Sequence, residues 1–135
     1  MKLWKWLAIP VAVWIVATLA FGAWARTHKP RGQMVPVATE RRLHVVCEGP
    51  RSGPPTVWME AGAFSGASDF GAVQRKLAAK GFRSCAYDRA GQGYSDAADG
   101  VRDADAILAD LEQAMAAVGE PEPVVLVGHS MGGLY

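Results

Sequence analysis

Hydrophobic and polar positions divide the chain into one long apolar block and a series of short segments. From Trp6 to Ala25 no side chain is charged. As a helix, roughly 20 residues at about 1.5 Å each reach about 30 Å, the thickness of a bilayer core. Trp4 and Trp6 flank one end and Trp24 the other, where indole rings favour the headgroup level. Pro10 sits near one end, a kink that membrane helices tolerate. Three readings compete: a permanent single-pass anchor, a signal peptide cut after Ala25 within the small-x-small run Ala23-Trp24-Ala25, and a buried soluble helix. Length favours the anchor, since a signal peptide's apolar core usually spans about 7–15 residues.

Beyond a short linker over Thr27–Met34 the pattern changes. Val35–Glu40 and Leu43–Glu48 are apolar, β-branched runs that read as an antiparallel pair. Gly49–Pro55 is turn chemistry throughout. Thr56–Glu60 reads as a strand. Ser68 or Asp69 is placed to cap a helix whose apolar positions are Phe70, Val73 and Leu77, with Lys76 and Lys80 in its last turn and Gly81 as its stop. Phe82–Tyr87 is a further strand, followed by a polar, glycine-rich loop over Asp88–Gly100. A second helix has Asp103 and Asp105 in its first turn, Ile107, Leu108, Leu111, Met115 and Val118 on one face, and Gly119 and Pro121 at its end. Val124–Val127 is an unbroken apolar run, the pattern of a parallel strand buried on both faces. Strand and helix in alternation predict an α/β fold with a mostly parallel sheet and flanking helices.

Composition changes this picture in two ways. The net charge of +1 conceals an asymmetry. Residues 1–31 carry five basic residues and no acid, whereas residues 32–135 carry nine basic and thirteen acidic residues. The basic end belongs with a membrane-targeting segment, and a mildly acidic body argues against a nucleic-acid partner. Basic residues on both sides of the apolar block nearly cancel the positive-inside signal, and the short N-terminal tail favours an extracytoplasmic body. Cys47 and Cys85 are too few for a disulfide scaffold and lack metal-ligand spacing, so neither a metal nor a cofactor is expected. The domain division is 1–31, targeting segment, and 32–135, body.

The candidate chemistry stands at the end of the last strand. Gly128-His129-Ser130-Met131-Gly132 fits G-x-S-x-G between a buried strand and a helix. A strand turning abruptly into a helix forces the serine into a strained backbone conformation and exposes its hydroxyl. Gly128 and Gly132 let the chains pass closely, and the following amides point at charge developing on a substrate oxygen.

Three stretches together resemble the α/β-hydrolase superfamily over residues 35–135. VVLVGHSMGG resembles its nucleophile elbow. CAYDRAGQGYSD, with Asp88, Gly91, Gly93 and Ser95, resembles its D-x-x-G-x-G-x-S loop. TVWMEAGAFSG resembles its oxyanion-hole loop. The resemblance implies Ser130 as nucleophile and the backbone N–H groups of Ala63 and Met131 as oxyanion donors. Where many relatives have His-Gly, this chain has Ala61-Gly62 after Glu60, which leaves the backbone donor intact. Asp88 and Arg89 are expected to be structural, Ser95 a turn residue, and His129 packing beneath the elbow. The second and fourth strands are neighbours in the family's order, which brings Cys47 near Cys85. Two buried thiols are the favoured reading, with a disulfide as the alternative for an exported domain.

The resemblance also implies the order serine, acid, histidine. Five residues follow Ser130 and none is acidic or His. His44 on an early strand is expected in a core or surface role, and His129 is too close in sequence to take its neighbour's proton. The chain therefore reads as the N-terminal half of an α/β-hydrolase fold preceded by one transmembrane helix, truncated after the elbow, with one edge of its last strand bare. The whole protein is expected to hydrolyse a small-molecule ester, amide or related acyl substrate through an acyl-serine intermediate. Acyl transfer uses the same machinery, whereas dehalogenase relatives carry Asp in place of Ser130. The alternative is a non-catalytic, membrane-anchored truncated product or binding module.

Overall fold

The computed structural model describes residues 3–27, 30–38, 40–120 and 122–135, with the backbone alone at 3–7, 25, 26 and 38. The positions of His28, Lys29 and Pro121, and the side chains of Trp4 and Trp6, lie outside the described residues. Contacts between Cα atoms divide the chain into two compact units, Met1–Arg31 and Gly32–Tyr135.

The first unit is one helix, α1 (Leu3–Thr27), with Pro10 inside it. Large apolar side chains stand exposed all round it, among them Val13 (63%), Trp14 (69%), Val16 (64%) and Leu19 (68%). The Thr18 hydroxyl donates to the Trp14 carbonyl at 2.7 Å, so its polar atom is satisfied within the helix. Among the described residues no helix is long and apolar enough to cross a membrane.

The second unit is built on a five-stranded sheet in the order β1-β2-β4-β3-β5. Its strands are β1 (Gln33–Ala38), β2 (Arg41–Glu48), β3 (Thr56–Glu60), β4 (Ser84–Tyr87) and β5 (Val124–Gly128). β1 and β2 pair antiparallel, and so do β2 and β4, while β3 pairs parallel with β4 and with β5. The sheet is thus mixed rather than mostly parallel, because the leading antiparallel pair supplies two of its five strands.

Two helices cross over the sheet. A 3-10 turn, Ala67–Phe70, leads into α2 (Gly71–Ala78), which connects β3 to β4. Helix α3 (Ala104–Val118) connects β4 to β5. The first crossover runs from β3 to one neighbour and the second returns past β3 to the other. Right-handed crossovers in opposite directions put their helices on opposite faces. Period-two alternation along the strands gives each face its own core. Val45, Trp58, Cys85 and Tyr87 pack with Leu111, Ala114 and Val118 of α3, whereas Val46, Met59 and Ala86 pack with Phe70 and Leu77 on the α2 side.

Several local expectations are corrected. Neither Ser68 nor Asp69 caps α2, whose N-cap is Phe70 without a side-chain bond. Its inward position is Gln74, fully buried, while Val73 is 47% exposed. The Gln74 amide donates to the carbonyls of Val46 and Ser84 at 2.8 and 3.2 Å, which makes a polar residue the best fit against two strand backbones. β5 is not buried on both faces: Val125, Leu126 and Val127 are 46, 61 and 42% exposed. It is the sheet's edge strand in this chain, and its bare apolar edge agrees with the expectation from the motif order. By contrast, α3 starts as its sequence dictates, with the Asp103 carboxylate accepting the Ala106 N–H at 3.0 Å, and ends at Gly119 in the left-handed conformation, φ 67°.

Cys47 and Cys85 are directly opposed across β2 and β4 and are joined by a disulfide, so the favoured reading of two free thiols is corrected. Glu120 lies beside the bond, with ligand-type atoms of the three residues within 4.8 Å of one another. The sulfurs are committed to each other, and Glu120 accepts from Arg83 at 2.7 Å and from Thr56 at 3.0 Å. This corner is a clasp between strands.

Candidate active site

The C-terminal ends of the parallel strands β3, β4 and β5 lie along one edge of the sheet. In open α/β sheets that edge is where ligands bind. The loops after Glu60, Tyr87 and Gly128 meet there.

β5 delivers Ser130. Glu60 and Gly128 are register partners, and the His129 N–H donates to the Glu60 carbonyl at 2.9 Å. Immediately beyond, Ser130 takes φ +54°, the strained conformation its motif demands, and its side chain is exposed. Ser130–Gly133 form a 3-10 turn in place of the expected α-helix. The flanking glycines are obligatory. A Cβ at Gly128 would lie 2.5 Å from the Gly132 carbonyl oxygen, and one at Gly132 would lie 2.5 Å from the carbonyls of both Ala61 and Glu60. Met131 follows Ser130 and is 41% exposed. His129 is exposed rather than packed beneath the elbow, because β5 carries no further cover in this chain.

β3 delivers the second loop. A Cβ on Gly62 would sit 3.3 Å from Ser130 Cβ, so the loop runs against the serine and Ala63, the next residue, stands exposed beside it. Phe64 is fully exposed with φ 56°. Ser130 and Gly62 are therefore brought together, with Met131 and Ala63 one residue on from each.

The loop after β4 holds this arrangement from beneath. The Arg89 guanidinium donates to the carbonyls of Ala61 and Gly62, the latter at 2.6 Å. Its Nε lies 2.8 Å from Glu60 Oε1, an ion pair set at an angle that is not a hydrogen bond. The Tyr87 hydroxyl donates to the other Glu60 oxygen. Glu60, Tyr87 and Arg89 are all buried. Burial pushes the Glu60 carboxyl above its ordinary range, against the opposing pull of Tyr87 and Arg89. Burial, and then the charge of Glu60, drives the Tyr87 phenol far upward, so its proton stays on the oxygen that donates. Arg89 also lies 5.3 Å over the Tyr135 ring, a cation–π contact.

Asp88 braces the same loops. Its carboxylate accepts the Ala67 N–H at 2.8 Å, the Tyr94 N–H at 3.1 Å and His44 Nδ1 at 2.8 Å. Burial acts to raise its pKa, and the three hydrogen bonds outweigh burial and hold it below the usual range. His44 is buried against Asp88 and meets Tyr94 edge-on at 5.2 Å, the core rather than the surface one of the two roles expected of it. The Ser95 hydroxyl donates to the Asp88 carbonyl and accepts the His44 N–H at 2.9 Å, as a turn residue does.

Sequence reasoning missed the Glu60–Tyr87–Arg89 network. The signal was present: a single carboxylate ending an apolar strand must find a partner if buried, and Arg89 was the basic residue nearest the same motifs.

Comparison with known proteins follows the same residues. The Hydrolase_4 family, serine aminopeptidase S33, matches residues 56–135. No curated protein is similar enough to be matched. Among solved structures, an α/β-hydrolase from Novosphingobium aromaticivorans is 32% identical, covering 76% of this chain and 36% of that one at a TM-score of 0.66. An enol-lactonase from Burkholderia xenovorans is 25% identical over 74% of this chain and 38% of its own, with a TM-score of 0.66. An esterase from Exiguobacterium antarcticum shares the fold at 24% identity, covering 76% and 37% of the two chains with a TM-score of 0.67. The chain thus spans less than two-fifths of the length of these relatives.

Proposed function

The chain belongs to the serine aminopeptidase S33 family of α/β-hydrolases, and on that premise we propose that the whole protein hydrolyses an ester, amide or related acyl compound through an acyl-serine intermediate. The observation that carries this reading is Ser130: exposed, at φ +54°, between glycines that tolerate no side chain. In the reaction its Oγ attacks the acyl carbon. The N–H groups of Ala63 and Met131 receive the charge that develops on the carbonyl oxygen, an interaction stronger in the transition state than in the ground state. A serine needs a base, and the base an orienting acid. His44 is committed to Asp88, and His129 adjoins Ser130. In this reading both partners come from elsewhere in the whole protein.

The test is an active-site-directed fluorophosphonate applied to the protein expressed from its full reading frame. One label per chain, abolished by Ser130→Ala with the fold retained, supports the acyl-serine. A folded protein that takes no label supports the non-catalytic alternative.

The same proposal has α1 hold the domain at a membrane on the extracytoplasmic side. Its apolar, exposed circumference and the disulfide of the body support this. Carbonate extraction with protease protection tests it: a membrane-bound, protease-accessible domain is expected, and a soluble exported form starting after Ala25 indicates a cleaved signal instead.

A further inference from the structure

The buried carboxylate ending β3 has no part in the chemistry described so far, yet it is the counter-charge of the residue that holds the oxyanion loop. We propose that Glu60 is a positioning residue for the Ala63 donor, acting through Arg89. This rests on the acyl-serine reading and adds to it the device that sets the donor's direction.

The Gly62 carbonyl and the Ala63 N–H belong to one planar trans peptide and point in opposite directions. Arg89 holds that carbonyl at 2.6 Å, and the preceding Ala61 carbonyl as well, from the buried side. The Ala63 N–H is thereby turned away from Arg89, toward the exposed side where Gly62 runs against Ser130. The guanidinium faces the negative ends of these peptides, so it also polarises the N–H beyond them.

A guanidinium this deeply buried requires a counter-charge. Glu60 supplies it at 2.8 Å, and the Tyr87 hydroxyl fixes the carboxylate from its other oxygen. Glu60 is placed for this by β3 itself, one residue before the loop whose carbonyls Arg89 grips. Carboxylate, guanidinium, carbonyl and donor N–H form one chain within Arg89 and the four consecutive residues from Glu60, the end of β3, to Ala63 in the loop.

Two effects of removing the Glu60 charge have opposite signs. Unneutralised, Arg89 would add positive field near the oxyanion and raise kcat. Unanchored, it would release the carbonyls and let the Ala63 N–H swing out of line. The second dominates, because the donor acts at hydrogen-bond distance while Arg89 acts from behind the peptide plane.

The experiment uses the protein from its full reading frame, a p-nitrophenyl ester as substrate, a trifluoromethyl ketone as mimic of the oxyanion, and fluorophosphonate to count competent Ser130. Glu60→Gln is expected to lower kcat per labelled serine by about tenfold to a hundredfold, within the loss seen on removing one oxyanion donor. KM should be unchanged and ketone affinity should fall by the same factor. Glu60→Asp should recover part of the loss. Tyr87→Phe keeps the ion pair and the ring, and should give a smaller loss of the same kind, which decides the matter if the Gln variant does not fold. Unchanged or raised kcat per labelled serine in these variants overturns the proposal. A wild-type protein that takes no label, or activity that survives Ser130→Ala, overturns the acyl-serine reading and this assignment with it.

Discussion

At Gly132 a single methyl group decides whether the elbow forms. A Cβ there would meet two backbone carbonyl oxygens at 2.5 Å, and neither can move without breaking the β3 end. Gly132→Ala is expected to cost at least about 2 kcal/mol by denaturant titration, at the upper part of the usual overpacking range, and to abolish fluorophosphonate labelling. Gly133 is the control: its Cβ would find ordinary contact at 3.8 Å, so Gly133→Ala should stay within about 0.5 kcal/mol. Asp88 gives a second prediction at this scale. Its pKa lies below the unfolded value of about 3.9, so the unfolded chain binds more protons in that window. The stabilisation is therefore complete above about pH 5 and is lost as pH falls through the lowered folded value. Unfolding curves of wild type and Asp88→Asn should be furthest apart at pH 5 and above and should converge on acidification; a gap that is constant from pH 6 to pH 2 would contradict this. What sequence made legible at this scale was the serine and its glycines, because strand, strained turn and small residues must occur together. Glu60 and Gln74 were not legible: each is polar, and only their buried partners show why the core accepts them.

Elements were legible where local chemistry decides them. Thr56–Glu60 begins and ends as its pattern indicates, and α3 is bounded by its Asp103 cap and left-handed Gly119. They were misread where tertiary packing decides. α2 lacks its expected cap because a 3-10 turn feeds it directly, and the apolar run of β5 signals a strand but not how much covers it. The α3 face also contains a charge that periodicity does not anticipate. Asp110 is buried at 3% exposure and accepts both Arg41 nitrogens, at 2.5 and 2.6 Å, with Arg102 on the same carboxylate. This pins α3 to the start of β2. Removing the carboxylate leaves two guanidinium groups without their counter-charge, so Asp110→Ala should cost about 3 kcal/mol, the lower end for breaking a buried pair. Thermal denaturation at neutral pH measures it, and a loss below about 1 kcal/mol would show that the arginines find water instead.

For the molecule as a whole, the disulfide makes stability depend on redox conditions. Cys47 and Cys85 close a separation of 38 residues that contains β3, the loop that follows it and α2. Constraining a loop of that length in the unfolded chain stabilises the native state by about 4 kcal/mol on the chain-entropy account. That is a large share of the roughly 5–15 kcal/mol that holds a typical domain together. The bond sits between the antiparallel part of the sheet and its parallel part, and without it the strand pair β2–β4 keeps its backbone hydrogen bonds, the Gln74 bridge and the two face cores. A reducing cytosol would withhold this contribution; an oxidising compartment supplies it. Protein isolated from its native source with thiol exchange blocked and denatured without reductant should therefore titrate no free thiol, and two after reduction. The Cys47→Ala, Cys85→Ala variant should unfold at a lower denaturant midpoint by an amount equal to the shift that reductant produces in wild type. Two free thiols in the unreduced native protein would remove both the clasp and the support it lends to an exported domain.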